Sequence, residues 1–123
     1  MTINASVAAY RTAMNPFSGK ALLVAPAVTN AGAPAGLTYL GNFLGNCSDC
    51  VVGAVNVHWY SNKYAGANYF EQFINQTRTM RDSYPQTKGK PIWVKEFGLT
   101  NDCGSACNYN DIDIQSFLMQ VMP

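Results

Sequence analysis

The chain has 123 residues, enough for one modest domain. Apolar residues make up 48%, so a core is affordable, and a net charge of +1 leaves no basic surface for nucleic acid and no charged tail. No apolar run approaches the roughly 20 residues of a membrane span, and "MTINASVAAY" lacks the charged and apolar regions of a signal peptide.

Ile3, Val7, Tyr10 and Met14 form a stripe at helical spacing, so residues 3 to 14 are expected as a helix that Asn15-Pro16 stops. "ALLVAP" (21–26) is a continuous apolar run, the mark of a strand buried on both faces. After a Gly- and Pro-rich loop, Leu37, Leu40 and Leu44 open a second helix, which ends near Gly45. "GAVNVHWY" (53–60) is rich in strand formers. Residues 68 to 84 carry Phe70, Phe73, Ile74, Thr77 and Met80 on one helical face, with Asn68 and Glu71 spaced as a capping box. "PIWVKEF" (91–97) is expected as a third strand, and Ile114, Phe117, Leu118, Val121 and Met122 mark a last helix. Strands alternating with helices across long connections imply an α/β fold, a three-stranded parallel sheet covered by helices.

The four cysteines fall in two close pairs, Cys47 with Cys50 and Cys103 with Cys107. Free thiols, a four-thiolate zinc site and disulfides are the readings open to them. The long helix and strand between the pairs disfavour a zinc ribbon. The expected arrangement is two local disulfides, one of three connectivities that four cysteines allow. Asn4-Ala5-Ser6, Asn46-Cys47-Ser48 and Asn75-Gln76-Thr77 have the form of glycosylation triplets, a pattern common by chance.

Ligands of α/β folds gather at the C-terminal ends of parallel strands. Thr29 and Asn30 follow the first strand, His58, Trp59 and Tyr60 end the second, and Glu96 ends the third. A carboxylate is costly to bury unless paired or hydrogen-bonded, so a charge at the tip of an apolar strand calls for a reason. Period-two alternation places Glu96 on the same side as Val94. Each residue also has a plain structural role open to it: a strand-end charge, a hydrogen-bonded core histidine, aromatic core cover, a turn asparagine. The only other glutamate, Glu71, is explained by helix capping. As a set, the aromatic rings and hydrogen-bonding groups beside a carboxylate suit a sugar. Glycoside hydrolysis calls for two carboxylates, and only Glu96 follows a strand, with Asp102 in the loop beyond it.

In series, "APAVTNAGAPAGLTYLGNFLGNCSDCVVGAVNVHWY" and "GKPIWVKEFG" resemble the fungal Asl-type glycoside hydrolases, glycoside hydrolase family 128. The resemblance implies a (β/α)₈ barrel acting on β-1,3-glucan with retention, outside the cell or in the cell wall. It implies Glu96 as nucleophile at the end of the seventh strand, and His58, Trp59, Tyr60 and Asn30 as cleft-lining, substrate-binding residues. Two further expectations join these: Tyr60 hydrogen-bonding Glu96, and Trp59 stacking on a glucose ring. Ala25 stands where the family usually has Ser, and Lys95 where it usually has a small residue. The family's acid/base glutamate, in an Asn-Glu-Pro motif ending the fourth strand, would lie before residue 1. Residues 1 to 123 are therefore expected to be the C-terminal portion of one barrel domain, about helix four to helix seven, lacking strands one to four and strand eight. Neither a metal nor a cofactor is implied, and neither is a nucleic-acid or membrane partner. A non-catalytic glucan-binding or cell-wall protein of the same fold is the alternative.

Overall fold

A computed structural model describes residues 1–122. Helix α1 spans Ile3–Ala13, with the Thr2 side chain accepting the Ala5 N–H at its start. A 3₁₀ turn over Asn15–Phe17 holds Pro16 and leads away from it. Then come α2 (Gly36–Asn46), β1 (Val55–Ser61), α3 (Gly66–Asp82), β2 (Ile92–Leu99), a second 3₁₀ turn (Gly104–Cys107) and α4 (Asp111–Val121). Strands β1 and β2 pair in parallel, as their connection through α3 requires.

The first expected strand is not a regular one. Residues 24 and 28 make single parallel bridges, Val24 to Ala54 and Val28 to Val57. Between them, three residues on one side face two on the other, and Pro26 has no N–H to give a ladder. Hydrogen bonds from Ala25 N to Ala54 O (2.9 Å) and from His58 N to Val28 O (2.8 Å) still hold this segment beside β1. The sheet is thus two strands plus a broken third, with β1 in the middle.

The core lies between this sheet and the helices. Val7 and Tyr10 of α1, Leu40, Phe43 and Leu44 of α2, Val55, Val57 and Trp59 of β1, Phe73 of α3 and Phe117 of α4 are all buried. Tyr10 meets Phe43 edge-on at 5.4 Å, and its hydroxyl donates to Val51 O at 3.0 Å, so α1 is anchored by an apolar body and a polar tip.

The expected capping box at Asn68 and Glu71 does not form. Helix α3 starts earlier, with Ala65 at the cap and no side-chain cap bond; Asn62 Oδ1 accepts the N–H groups of Tyr64 and Ala65 just ahead of it. A capping box occurs on α4 instead, between Asn110 and Asp113. Both cysteine pairs stand as local disulfides, Cys47–Cys50 and Cys103–Cys107, with Cα separations of 5.2 and 5.4 Å. Among the described residues, the one grouping of metal-ligating atoms is Asp102 with Cys103 and Cys107, and the disulfide removes its thiolates. The second loop is tied down by Tyr64 Oη donating to Ala106 O (2.9 Å) and by Lys63 beside Asp113 at 3.3 Å.

Candidate active site at the strand ends

The site depends on an irregularity in β2. Pairing runs Val55 to Ile92, Asn56 to Trp93 and Val57 to Val94, then resumes at His58 to Glu96, leaving Lys95 unmatched. One extra residue in one strand is a β-bulge, which turns the following side chains over. Phe97 therefore falls on the helix side, 5.7 Å from Phe70 and 6.2 Å from Phe117 between ring centres. Glu96 falls on the opposite face with His58 and Tyr60. Simple alternation had put Glu96 on the side of Val94; the bulge corrects that. The signal was present in "VKEF", where two consecutive charged residues between apolar ones break the period of two.

On this open face Tyr60 Oη donates to Glu96 Oε2 at 3.1 Å, and His58 Nδ1 stands 3.5 Å from the same oxygen. The Glu96 side chain is 55% exposed and that of His58 20%, so the carboxylate is reachable while its neighbours hold one oxygen in place. The hydrogen bond to Glu96, with burial and the negative charge adding to it, pushes the Tyr60 phenol up from its usual range. The phenol consequently remains a donor at neutral and mildly alkaline pH.

Asn30 makes a two-point contact with the main chain of Tyr60. Its Nδ2 donates to Tyr60 O at 2.9 Å, and its Oδ1 accepts from Tyr60 N at 3.0 Å. The amide acts as one more rung of ladder beyond the broken strand, fixing the backbone from which the Tyr60 hydroxyl reaches Glu96. The structure thus engages Asn30 with protein rather than leaving its amide free toward solvent.

Trp59 is not on this face. Alternation along β1 sends His58 and Tyr60 one way and Trp59 the other. Its indole is 1% exposed, stacked on Phe117 at 5.4 Å and met edge-on by Phe70 at 5.5 Å. A ring closed in on the helix side cannot stack on a sugar, so the expected glucose platform is corrected to a core residue. The other indole, expected to be buried with Ile92 and Val94 in an apolar strand, is not: Trp93, paired with Asn56 on the open face, is 39% exposed. Asn56 itself is buried, and its Oδ1 has no hydrogen-bond partner among the described residues. Of the aspartates, Asp49 is paired with Arg11, Asp82 with Arg81 and Asp113 with Lys63.

The family profile described as glycosyl hydrolase catalytic core matches residues 1–123. The chain is 29% identical over 92 residues to the Alkali-sensitive linkage protein 1 of Schizosaccharomyces pombe, a match covering 75% of this chain and 14% of that protein. Its fold is similar to that of a GH128 subgroup III curdlan-specific exo-β-1,3-glucanase from Blastomyces gilchristii, solved with glucose. The TM-score is 0.84 at 29% identity, over 100% of this chain and 48% of that one. It is also similar to a GH128 subgroup IV endo-β-1,3-glucanase from Lentinula edodes, with a TM-score of 0.67 at 27% identity, over 82% of this chain and 37% of that one. The chain thus spans about half the length or less of these relatives.

Proposed function

The chain belongs to the glycosyl hydrolase catalytic core family, and from that premise we propose that it is part of a retaining hydrolase of β-1,3-glucan with Glu96 as its nucleophile. The observation that supports this most is the exposed carboxylate at a parallel strand end, held through one oxygen by Tyr60 and flanked by His58. Its other oxygen is then free to attack. Two solved relatives described as β-1,3-glucanases supply the substrate class.

In this mechanism a Glu96 oxygen forms a bond to the anomeric carbon as the bond from that carbon to the leaving oxygen breaks. A second carboxyl group, roughly 5–5.5 Å from Glu96, gives its proton to the leaving oxygen and then activates the water that frees the sugar. Asp49, Asp82 and Asp113 are each engaged by a basic side chain, and the resemblance assigns the acid/base to a glutamate ending the family's fourth strand, so we place that group outside these residues. The 24–28 segment, β1 and β2 correspond in this reading to the fifth, sixth and seventh strands of a (β/α)₈ barrel. The orphaned Asn56 oxygen and half-open Trp93 fit a face that further barrel strands would cover, since a buried acceptor without a partner is costly. Disulfides favour an oxidising compartment, consistent with action outside the cell or in the cell wall. Hydrolysis by this route uses side-chain carboxyl groups and needs no cofactor.

The same groove without its acid/base would give a non-catalytic glucan-binding protein, and one measurement separates the two. The protein containing this chain is incubated with a 2-fluoro β-glucosyl inactivator, digested and mapped by mass spectrometry. A covalent sugar on the peptide holding Glu96 is the expected result. Labelling at another carboxylate, or hydrolysis with inverted stereochemistry, overturns the assignment. Binding of β-1,3-glucan with neither label nor turnover selects the non-catalytic reading.

A further inference from the structure

A second concave surface lies away from the strand ends. A groove of about 1110 Å³ runs between α2 and α3 on the outer, helical side. Asn30, His58, Tyr60 and Glu96 take no part in its walls. One wall is Thr38 and Asn42 of α2, the other a stripe of Asn68, Gln72, Gln76 and Thr79 on α3. Spacings of three and four residues bring each set onto one helix face, and the α3 stripe extends over roughly 16 Å at 1.5 Å per residue. The floor takes in Leu37 and Met80 as well as the Tyr84 ring. Tyr84 lies against the glycine side of α2, where a Cβ at Gly41 would be 3.0 Å from its hydroxyl and one at Gly45 3.7 Å from its ring. The Tyr69 ring, 61% exposed, stands at the mouth.

One end of the groove is fixed. Gln86 Nε2 donates to Leu44 O (2.8 Å) and Cys47 O (3.1 Å), tying the turn after α3 to the last carbonyls of α2. Tyr84 O accepts the N–H groups of Thr87 and Lys88 at 3.0 and 2.9 Å, which holds the floor residue in that turn. Both walls and the floor come from this chain, and these bonds join them at one end.

The chemistry of the lining selects a ligand. Glu71 is the one charged side chain in it. An ionic ligand is therefore poorly served, whereas amides and hydroxyls donate and accept at once, as sugar hydroxyls do. Phenol rings offer apolar faces to the C–H side of a sugar ring with a polar tip for its hydroxyls. We propose that the groove between α2 and α3 is a second, non-catalytic site that holds a strand of β-1,3-glucan. The inference rests on the substrate class proposed above and adds a place where an insoluble polymer is held away from the reacting carboxylate.

The test uses the full-length protein containing this chain, produced without N-glycans because Asn75 of one glycosylation triplet also borders the groove. The variant is the triple substitution Tyr69→Ala, Asn42→Ala and Gln72→Ala, all at exposed positions, with its circular dichroism and melting compared with the parent. Retention on curdlan particles is measured in the Glu96→Gln background. Turnover of short soluble β-1,3-gluco-oligosaccharides is measured with Glu96 intact. Retention is expected to fall about tenfold while oligosaccharide turnover stays within about twofold of the parent. Unchanged retention overturns the groove inference and leaves the catalytic reading standing, and shows the amide stripe to be a solvated helix face. Oligosaccharide turnover that falls in step with retention also overturns it, since the groove would then act in the catalytic site. A parent protein that neither retains on curdlan nor cleaves the oligosaccharides overturns the substrate class, and this inference with it.

Discussion

The two faces of the β1–β2 pair differ in how complete they are. On the helix side, Val55, Val57 and Trp59 are buried against Phe70, Phe97 and Phe117, and the rings meet at ordinary contact distances. On the other side an exposed indole, a buried amide oxygen without a partner and a reachable carboxylate sit within one strand pair. Packing decides one face and polar positioning the other. Changes on the first should appear as lost stability, and changes on the second as lost chemistry.

Glu96→Gln should have the largest effect. In the full-length protein it removes the attacking oxygen but keeps the shape, so kcat on β-1,3-glucan is expected to fall by roughly 10³-fold or more with little change in stability. Glu71→Gln, on the outer surface of α3, should leave turnover of short soluble β-1,3-gluco-oligosaccharides near the parent value. Equal losses from both substitutions, measured as reducing sugar released, would sink the nucleophile assignment.

The next largest effect tests the sealed face. Trp59→Ala opens a cavity among Phe70, Phe97 and Phe117 and should cost about 3–5 kcal/mol. Trp93→Ala, on the open face of this chain taken by itself, should cost less than about 1.5 kcal/mol. Denaturant titration of both variants measures the difference. A Trp93 variant as damaged as the Trp59 variant would mean that both faces are packed alike.

Asn30→Ala has a smaller and more specific effect. Losing both bonds to the Tyr60 main chain, at about 1 kcal/mol each, should lower kcat by roughly tenfold or somewhat more. KM should move less than about twofold. Asn30→Asp keeps the acceptor for Tyr60 N–H and should recover part of the loss. A rise in KM with kcat unchanged would make Asn30 a direct substrate contact instead of a positioning residue.

The same contrast explains what was legible in the sequence. Apolar stripes such as Val7–Tyr10 and Phe73–Thr77 report burial against a single partner layer, so the helices could be read directly. The identity of Glu96 as a strand-end carboxylate was also visible, since a charge after Ile92, Trp93 and Val94 stands out. Its facing was not, because a bulge is a property of the pairing between two strands and "VKEF" gives it only as a broken alternation. Trp59 and Trp93 could not be told apart by residue type; strand parity and the neighbours from α3 and α4 decide which one is core. Pro26 was visible, but whether a proline ends a ladder or merely interrupts it depends on the partner. The groove between α2 and α3 was hidden because amides on a helix surface read as solvated until the facing helix is known.

The smallest expected effects divide the two faces by pH. Asp82, the last residue of α3, is held at a pKa of about 2 by the hydrogen bond from Arg81 and the N–H of Gly89. Its value is depressed below that of the unfolded chain, so its contribution is present above the unfolded value near 4. It is lost as pH falls from there towards 2. Tyr60, on the open face, has its phenol pKa raised, chiefly by its hydrogen bond to Glu96. Its contribution is present below the unfolded value near 10 and is lost as pH rises through the folded one. Asp82→Asn should therefore flatten the acid limb of a melting-temperature profile and leave the alkaline limb alone, while Tyr60→Phe should do the reverse. Both residues are on the surface, so the shifts should be small and shrink with added salt. The check is a thermal melt series from pH 2 to 11 for the parent and both variants. An acid limb altered by Tyr60→Phe, or an alkaline limb altered by Asp82→Asn, would show that the faces do not titrate independently.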